Sequence, residues 1–218
     1  MKKLIALMFT FSIIMLNNVT AEIGLNVGLS GNLAVFHATG TENENGELSS
    51  EDATGVAGYG SIFVEKTLGD RFLIGIDYVP EALESETSET VVTDLKGVDD
   101  GASSNQTNKV QVDFEDLTTF YLGLNVTENL YVKAGMVQVD VITNETLGTG
   151  STYGNASLDG AMFGLGYNHS FGNGISTRIE GSYMDFDDAS VTASNTDNKI
   201  SLKGLEGASA KISLVKSF

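Results

Sequence analysis

The sequence predicts an all-β fold: eight antiparallel strands closed into an up-and-down transmembrane barrel. Three observations carry this. Segments of alternating apolar and small or polar residues recur along the chain. Short turns join them at one end, at Leu68-Gly69-Asp70-Arg71, Thr127-Glu128-Asn129 and Gly172-Asn173-Gly174. Long polar connections join them at the other, over residues 39–54, 81–108, 144–154 and 187–198. A period of two with short turns on one side and long loops on the other is the layout of a membrane-spanning barrel.

The elements follow in order. Residues 1–21 read as a cleaved secretory signal: Lys2 and Lys3, an apolar run of 13 residues from Leu4 to Leu16, then Val19-Thr20-Ala21. Such a run is shorter than the roughly 20 residues of a membrane helix. Residues 22–218 then form one barrel domain, with no internal repeat. Past residue 21, glycine and polar residues break every apolar run. A spanning chain of this kind must use a closed sheet, because lipid tolerates no unpaired backbone.

In the first strand Ile23, Leu25, Val27, Leu29, Leu33 and Val35 share one face. The second, residues 56–66, contains Ile62-Phe63-Val64, a continuous apolar run that leaves its facing open. The third, residues 72–79, sets Phe72, Ile74, Ile76 and Tyr78 against Gly75 and Asp77. The fourth, residues 110–126, places Val110, Val112, Phe114, Phe120, Leu122 and Leu124 on one face by parity, opposite Gln111, Asp113, Glu115 and Tyr121. It exceeds the 9–11 or so residues that cross a bilayer, so its upper half projects beyond the lipid. The fifth, residues 130–142, alternates Leu130, Val132, Ala134 and Met136 with Tyr131, Lys133, Gly135 and Val137. The sixth, residues 157–171, alternates Ala161, Phe163, Leu165 and Tyr167 with glycine and Met162. The seventh opposes Ile175, Thr177, Ile179 and Tyr183 to Arg178 and Glu180. The eighth opposes Ala208, Ala210, Ile212, Leu214 and Phe218 to Ser209, Lys211 and Ser213. A hairpin at residues 90–95 is the alternative that would raise the count to ten.

Composition narrows the function classes. There is no cysteine, hence no disulfide frame and no thiol chemistry. Twenty-five glycines and a single proline suit a sheet without edges. The net charge is −17. Without Lys2 and Lys3, 10 basic residues face 29 acidic ones, or −19. That balance excludes nucleic acid, which needs clustered Lys and Arg. Of the 29 acidic residues, 16 fall in the four long connections.

The chain resembles the small OmpA/OmpX-type outer-membrane barrels, over nearly all of residues 22–218. The resemblance rests on the signal, the strand rhythm, the turn–loop asymmetry and the terminal Ile212-Ser213-Leu214-Val215-Lys216-Ser217-Phe218. It implies a bacterial outer-membrane location, with short turns in the periplasm and long loops outside. It also implies that Ile212, Leu214 and Phe218 form the signal read by the barrel-assembly machinery. Lys216 departs from that pattern, where an aromatic or apolar residue is usual.

Four sets of residues are candidates for chemistry. Glu65, Lys133, Arg178, Glu180 and Lys211 lie near the short-turn end, four of them on inner faces by parity. Charges inside a narrow barrel must pair, so the set reads as a structural plug, with an ion or proton path as the sharper alternative. The acidic connections carry Glu42, Glu44, Glu47, Glu51 and Asp52, then Glu81, Glu84, Glu86, Glu89, Asp94, Asp99 and Asp100. These are hard ligands suited to divalent cations, yet no calcium-loop spacing is present, so solvated surface is the reading. His37 and His169 are candidate bases near Ser49, Ser50 and Ser170, but adjacent strand residues face opposite ways. Tyr59, Tyr78, Phe114, Tyr131, Phe171 and Phe218 fall near strand ends and read as interfacial girdles.

The expectation is therefore a monomeric, non-enzymatic barrel with a filled interior, no cofactor and no metal centre. It anchors acidic loops that meet surface partners or divalent cations, with outer-membrane lipid around it. A narrow channel is the alternative, and a lipid-modifying enzyme the third reading.

Overall fold

The computed structural model describes residues 24–44, 47–85, 87–95, 103–148 and 150–218. The expected signal lies outside them. Eleven strands form: β1 (Leu25–Glu44), β2 (Glu47–Leu68), β3 (Phe72–Tyr78), β4 (Leu83–Glu84), β5 (Ser88–Leu95), β6 (Ser103–Asn125), β7 (Leu130–Thr146), β8 (Ala156–Gly172), β9 (Ile175–Phe186), β10 (Ala189–Thr192) and β11 (Lys199–Ser217). Eight of them close a ring in the order β1-β2-β3-β6-β7-β8-β9-β11, with β11 pairing back to β1. Strands β4 and β5 pair with β6, and β10 with β11, so they build the rim without enlarging the ring. The hairpin at residues 90–95 is thus an addition to β6, and the barrel has eight strands.

The wall is inverted relative to a soluble sheet. Its outer face carries Leu29 at 61% exposure, Ile179 at 64% and Met136 at 66%, with Leu122, Phe163, Leu165, Ile212 and Leu214 also exposed. Glu65, Lys133, Arg178 and Glu180 are buried inside. An apolar band outside and charge within is favourable only where the outside is lipid. In β2 the ambiguous run resolves: Phe63 is buried in the lumen, Ile62 faces out, and Glu65 follows Phe63 inward.

Three expectations are corrected. Two of the connections expected as loops, residues 39–54 and 81–108, are largely strand, while the described residues of 147–155 and most of 187–198 are not. β1 and β2 continue as one hairpin from Thr39 opposite Asp52 to Glu44 opposite Glu47. β5 pairs with Ser103–Val110, and β10 with the start of β11. Outside lipid a strand needs no apolar alternation, so a polar hairpin has the composition of a loop.

The second correction concerns β6. Between Glu115 and Thr118 two residues, Asp116 and Leu117, oppose the single Val139 of β7. Asp116 takes a φ of 53°, rare for a residue with a side chain. This β-bulge adds one residue and inverts the alternation. Below it Tyr121 faces the lumen and Leu122 the lipid. Above it Val110, Val112 and Phe114, expected on the lipid-facing side, turn into the lumen. A second register shift, between His37 and Thr39 against β11, falls at Gly204, whose φ is 58°.

Third, the girdle is smaller than expected. Tyr131 is buried in the lumen, and Tyr59 and Phe114 pack inward as well. Tyr78 points outward and donates to Asp116 at 2.7 Å, while Phe171 and Phe218 are exposed near the short turns.

Candidate functional site

The lumen has two storeys. The lower one, near the short turns, is filled by ion pairs. Arg178 Nη1 donates to both oxygens of Glu65, each at 2.7 Å. Lys133 Nζ lies 2.7 Å from Glu180 Oε1, and Lys211 donates to Asp77. Tyr121 donates to Glu65 at 2.9 Å and Tyr131 to Glu180 at 2.9 Å. Asn26 adds a donor to Glu65 at 3.2 Å, and Asn168 accepts from Arg178 Nε at 3.3 Å. The Lys133 ammonium sits 4.3 Å from the Tyr121 ring centroid. Three cations thus meet three carboxylates, and among the described residues no buried side-chain polar atom lacks a partner. A buried charge is tolerated on this condition.

Sequence positions explain why the plug packs. Inner-face glycines leave room for its rings. A Cβ on Gly75 would come within 2.5 Å of the Tyr121 ring, and one on Gly166 within 2.2 Å of Tyr131. All five residues singled out from the sequence, Glu65, Lys133, Arg178, Glu180 and Lys211, lie in this cluster. Asp77, the partner of Lys211, completes it. Its parity with Gly75 in β3 placed it on the inner face, but no pairing could be read from spacing. A cavity of about 30 Å³ beside Asn32, Tyr59, Asp77 and Lys211 has room for a water or two.

Above the plug lies an apolar layer that includes Val79, Leu117, Val137, Val139, Met162 and Met184. Above that layer the lumen opens into a cavity of about 880 Å³. Its walls include Phe36, Val112, Phe114, Val141, Leu158 and Phe186. The interior expected to be filled is therefore filled only in its lower half. The chamber exists because the bulge turns the upper β6 inward and because Val139 and Val141 of β7 continue the lumenal face.

The chamber has a rim and a slot. At the rim the neighbouring β7–β8 and β9–β11 connections bond to each other: Ser194 N–H to Thr152 O at 2.8 Å, and Asn195 Nδ2 to Gly150 O at 2.7 Å. The slot lies in the wall. β3 ends at Tyr78, just before Pro80, and above the Ile62–Tyr78 pair β2 finds no ladder partner on that side among the described residues. Chamber-lining residues Thr54 to Ala57 of β2 and Leu83 of β4 flank this break.

Of the remaining candidates, His37 and Glu84 border the chamber, and His37 Nδ1 lies 3.1 Å from Thr54 Oγ1 at an exposed position on the upper wall. His169 is exposed and stacks edge-on against Phe171 at 5.0 Å. Glu42, Glu51 and Asp52 sit on the β1–β2 hairpin, while Glu86, Asp99 and Asp100 lie outside the described residues. Among the described residues no group of three or more histidines and carboxylates is placed to hold a metal ion. At the other end Ile212 and Leu214 face lipid and Phe218 is exposed. Lys216 Nζ donates to Asn173 O at 2.7 Å and lies 5.6 Å from the Phe218 ring centroid.

No protein-family model matches the sequence, and no curated protein matches it either. Solved structures do match in fold. The outer membrane protein OprG from Pseudomonas aeruginosa superposes with a TM-score of 0.57 at 11% identity, over 92% of this chain and 99% of that one. The outer membrane protein AlkL, solved in lipid bilayers, gives 0.51 at 13% identity, over 93% of each chain. At such identities the likeness is one of fold: this chain is a small barrel of the outer-membrane type.

Proposed function

We propose that this chain is a non-enzymatic bacterial outer-membrane barrel that binds an apolar small molecule in the outer half of its lumen. The chamber carries the reading. Barrel interiors of this class are ordinarily polar, whereas this upper half is walled mainly by aromatic and aliphatic side chains, with His37, Thr54, Glu84 and Thr143 among them. Its volume, about 880 Å³, falls within the range of roughly 300–1,000 Å³ typical of ligand pockets. A ligand of some 20 heavy atoms at about −0.3 kcal/mol per atom would bind in the tens of micromolar.

In this reading the short turns face the periplasm and the acidic hairpins face outward as a solvated collar. Residues 1–21 direct export, and Ile212, Leu214 and Phe218 present the last strand to the assembly machinery. The collar supports contact with divalent cations or surface partners, and the protein works as a monomer. The plug argues against the channel alternative, because paired charges and two tyrosines fill the lower lumen.

The test is photolabelling of the vesicle-reconstituted protein with a diazirine-bearing alkane, mapped by mass spectrometry. Adducts are expected on Phe114 and Val141. Adducts confined to the lipid-facing belt, such as Met136 and Phe163, would remove the proposal. Planar-bilayer recording of the same protein should show no sustained conductance.

A further inference from the structure

The charges around the chamber are sorted by sign between the two faces of the strands. On β1, Glu42 shares parity with Phe36 and Ala38, and on β7 Glu145 shares parity with Val141 and Thr143; these four neighbours all line the chamber. Both carboxylates are half-buried, and both meet one lining residue. Tyr153 donates from its hydroxyl to Glu42 at 3.4 Å and from its N–H to Glu145 at 2.7 Å. At the slot the bordering charge is again a carboxylate, Glu84. The cations go the other way. Lys109, Lys199 and Lys203 are exposed, and they adjoin the lining residues Val110, Ile200 and Leu202. Adjacent strand residues face opposite sides, so all three lysines point away from the lumen. Lys109 pairs there with Glu89 at 2.6 Å. Lys96 lies outside the described residues. Among the described residues, neither Glu42 nor Glu145 forms an ion pair.

We propose that the ligand of the chamber is a lipophilic cation, an apolar body carrying an ammonium group, with the body against the walls and the charge toward Glu42 and Glu145. The assignment rests on the reading of the chamber as a ligand site and names the class of ligand. The walls suit it as well as the carboxylates do. Phe36, Phe114, Phe186 and Tyr153 come from β1, β6, β9 and the β7–β8 connection, so aromatic rings stand on several sides. The face of such a ring attracts a cation, and a quaternary ammonium in particular. Half-buried carboxylates attract it more strongly than exposed ones, because less water lies between the charges. An amphiphile of the same size with a carboxylate head would meet the same rings, but repulsion from all three glutamates.

A matched pair of photolabels tests the sign of the charge. Both carry the same diazirine-bearing alkyl chain; one ends in trimethylammonium, the other in carboxylate. The protein is held in phosphatidylcholine vesicles, whose surface has no net charge. Labelling of Phe114 and Val141 is divided by labelling of Met136 and Phe163 on the lipid-facing belt, which cancels partition into the membrane. In this ratio the trimethylammonium label should exceed its carboxylate twin about tenfold at low salt. The excess should shrink as ionic strength rises. In E42Q/E145Q each glutamine keeps an acceptor oxygen for Tyr153 while both charges go. That variant should lose most of the excess, and E145Q alone part of it. Labelling by the neutral diazirine-alkane and β-sheet circular dichroism should stay unchanged in both. Equal ratios for the two charged labels, or a higher one for the carboxylate, overturn the proposal. An excess that survives undiminished in E42Q/E145Q overturns it too, since the charge is then not held by these glutamates. A chamber that even the neutral alkane fails to label refutes the ligand site itself, a result distinct from failure of the cation.

Discussion

The two storeys of the lumen are built by the same strands, yet they solve opposite problems. In the lower storey three cations, three carboxylates and two tyrosines fill the space between the strands. In the upper storey apolar side chains line a space that they leave open. Closing a barrel of this size demands something inside, and a polar network satisfies that demand at one end only. The comparison teaches that stability and binding capacity are divided along the axis. The plug holds the ring together, and the chamber is then at liberty to stay hollow.

The largest expected effect breaks the plug. Glu65 is 2% exposed and faces Arg178 in a two-oxygen contact. Glu65→Ala leaves the guanidinium buried without its carboxylate and should cost about 3–5 kcal/mol. Urea unfolding in lipid vesicles measures it. Replacing both partners, E65L/R178L, should cost less than either single alanine, because no lone charge remains. A double variant as unstable as E65A would mean that the network is held by shape instead of charge.

Tyr121→Ala tests the same storey through packing. The ring seats over Gly75 and under the Lys133 ammonium, so its loss should also cost about 3–5 kcal/mol. Next comes the wall. Ile179→Arg sets a charge on the lipid face and should cost about 2–4 kcal/mol in the same titration. A neutral result would say that this strand does not meet lipid at that height. The smallest stability effect belongs to the chamber. Phe114→Ala enlarges a space that is already open, and should cost about 1 kcal/mol or less, well under an ordinary core truncation. Its effect should appear instead in the photolabelling pattern. If Phe114→Ala destabilised the protein as much as Tyr121→Ala, the contrast between the storeys would collapse.

Much of the lower storey was legible in the sequence, and little of the upper one. Alternation fixes which side of a strand faces lipid, so Lys133, Arg178, Glu180 and Lys211 could be put on inner faces from parity alone. Glu65 was harder, because Ile62-Phe63-Val64 has no alternation to count from. The pairing of Asp77 with Lys211 depends on strands distant in sequence, and spacing carries no information about it. Tyr59 and Tyr131 looked interfacial by their place near strand ends, but an aromatic ring at a strand end can face either way. The upper storey was hidden for two reasons. Polar strands outside lipid look like loops, since nothing rewards their alternation. The bulge at Asp116 leaves no mark in composition, and counting by twos carries straight across it.

That bulge has a consequence for how such a protein changes over time. A barrel strand has a reading frame of two, and one added residue shifts everything beyond it. The valines and phenylalanine at positions 110, 112 and 114 would point outward if the frame were unbroken. One insertion hands the same letters to the interior without altering any of them. A lineage can therefore acquire a greasy pocket by a single codon gained, and lose it by a single codon dropped, with the rest of the strand's vocabulary untouched.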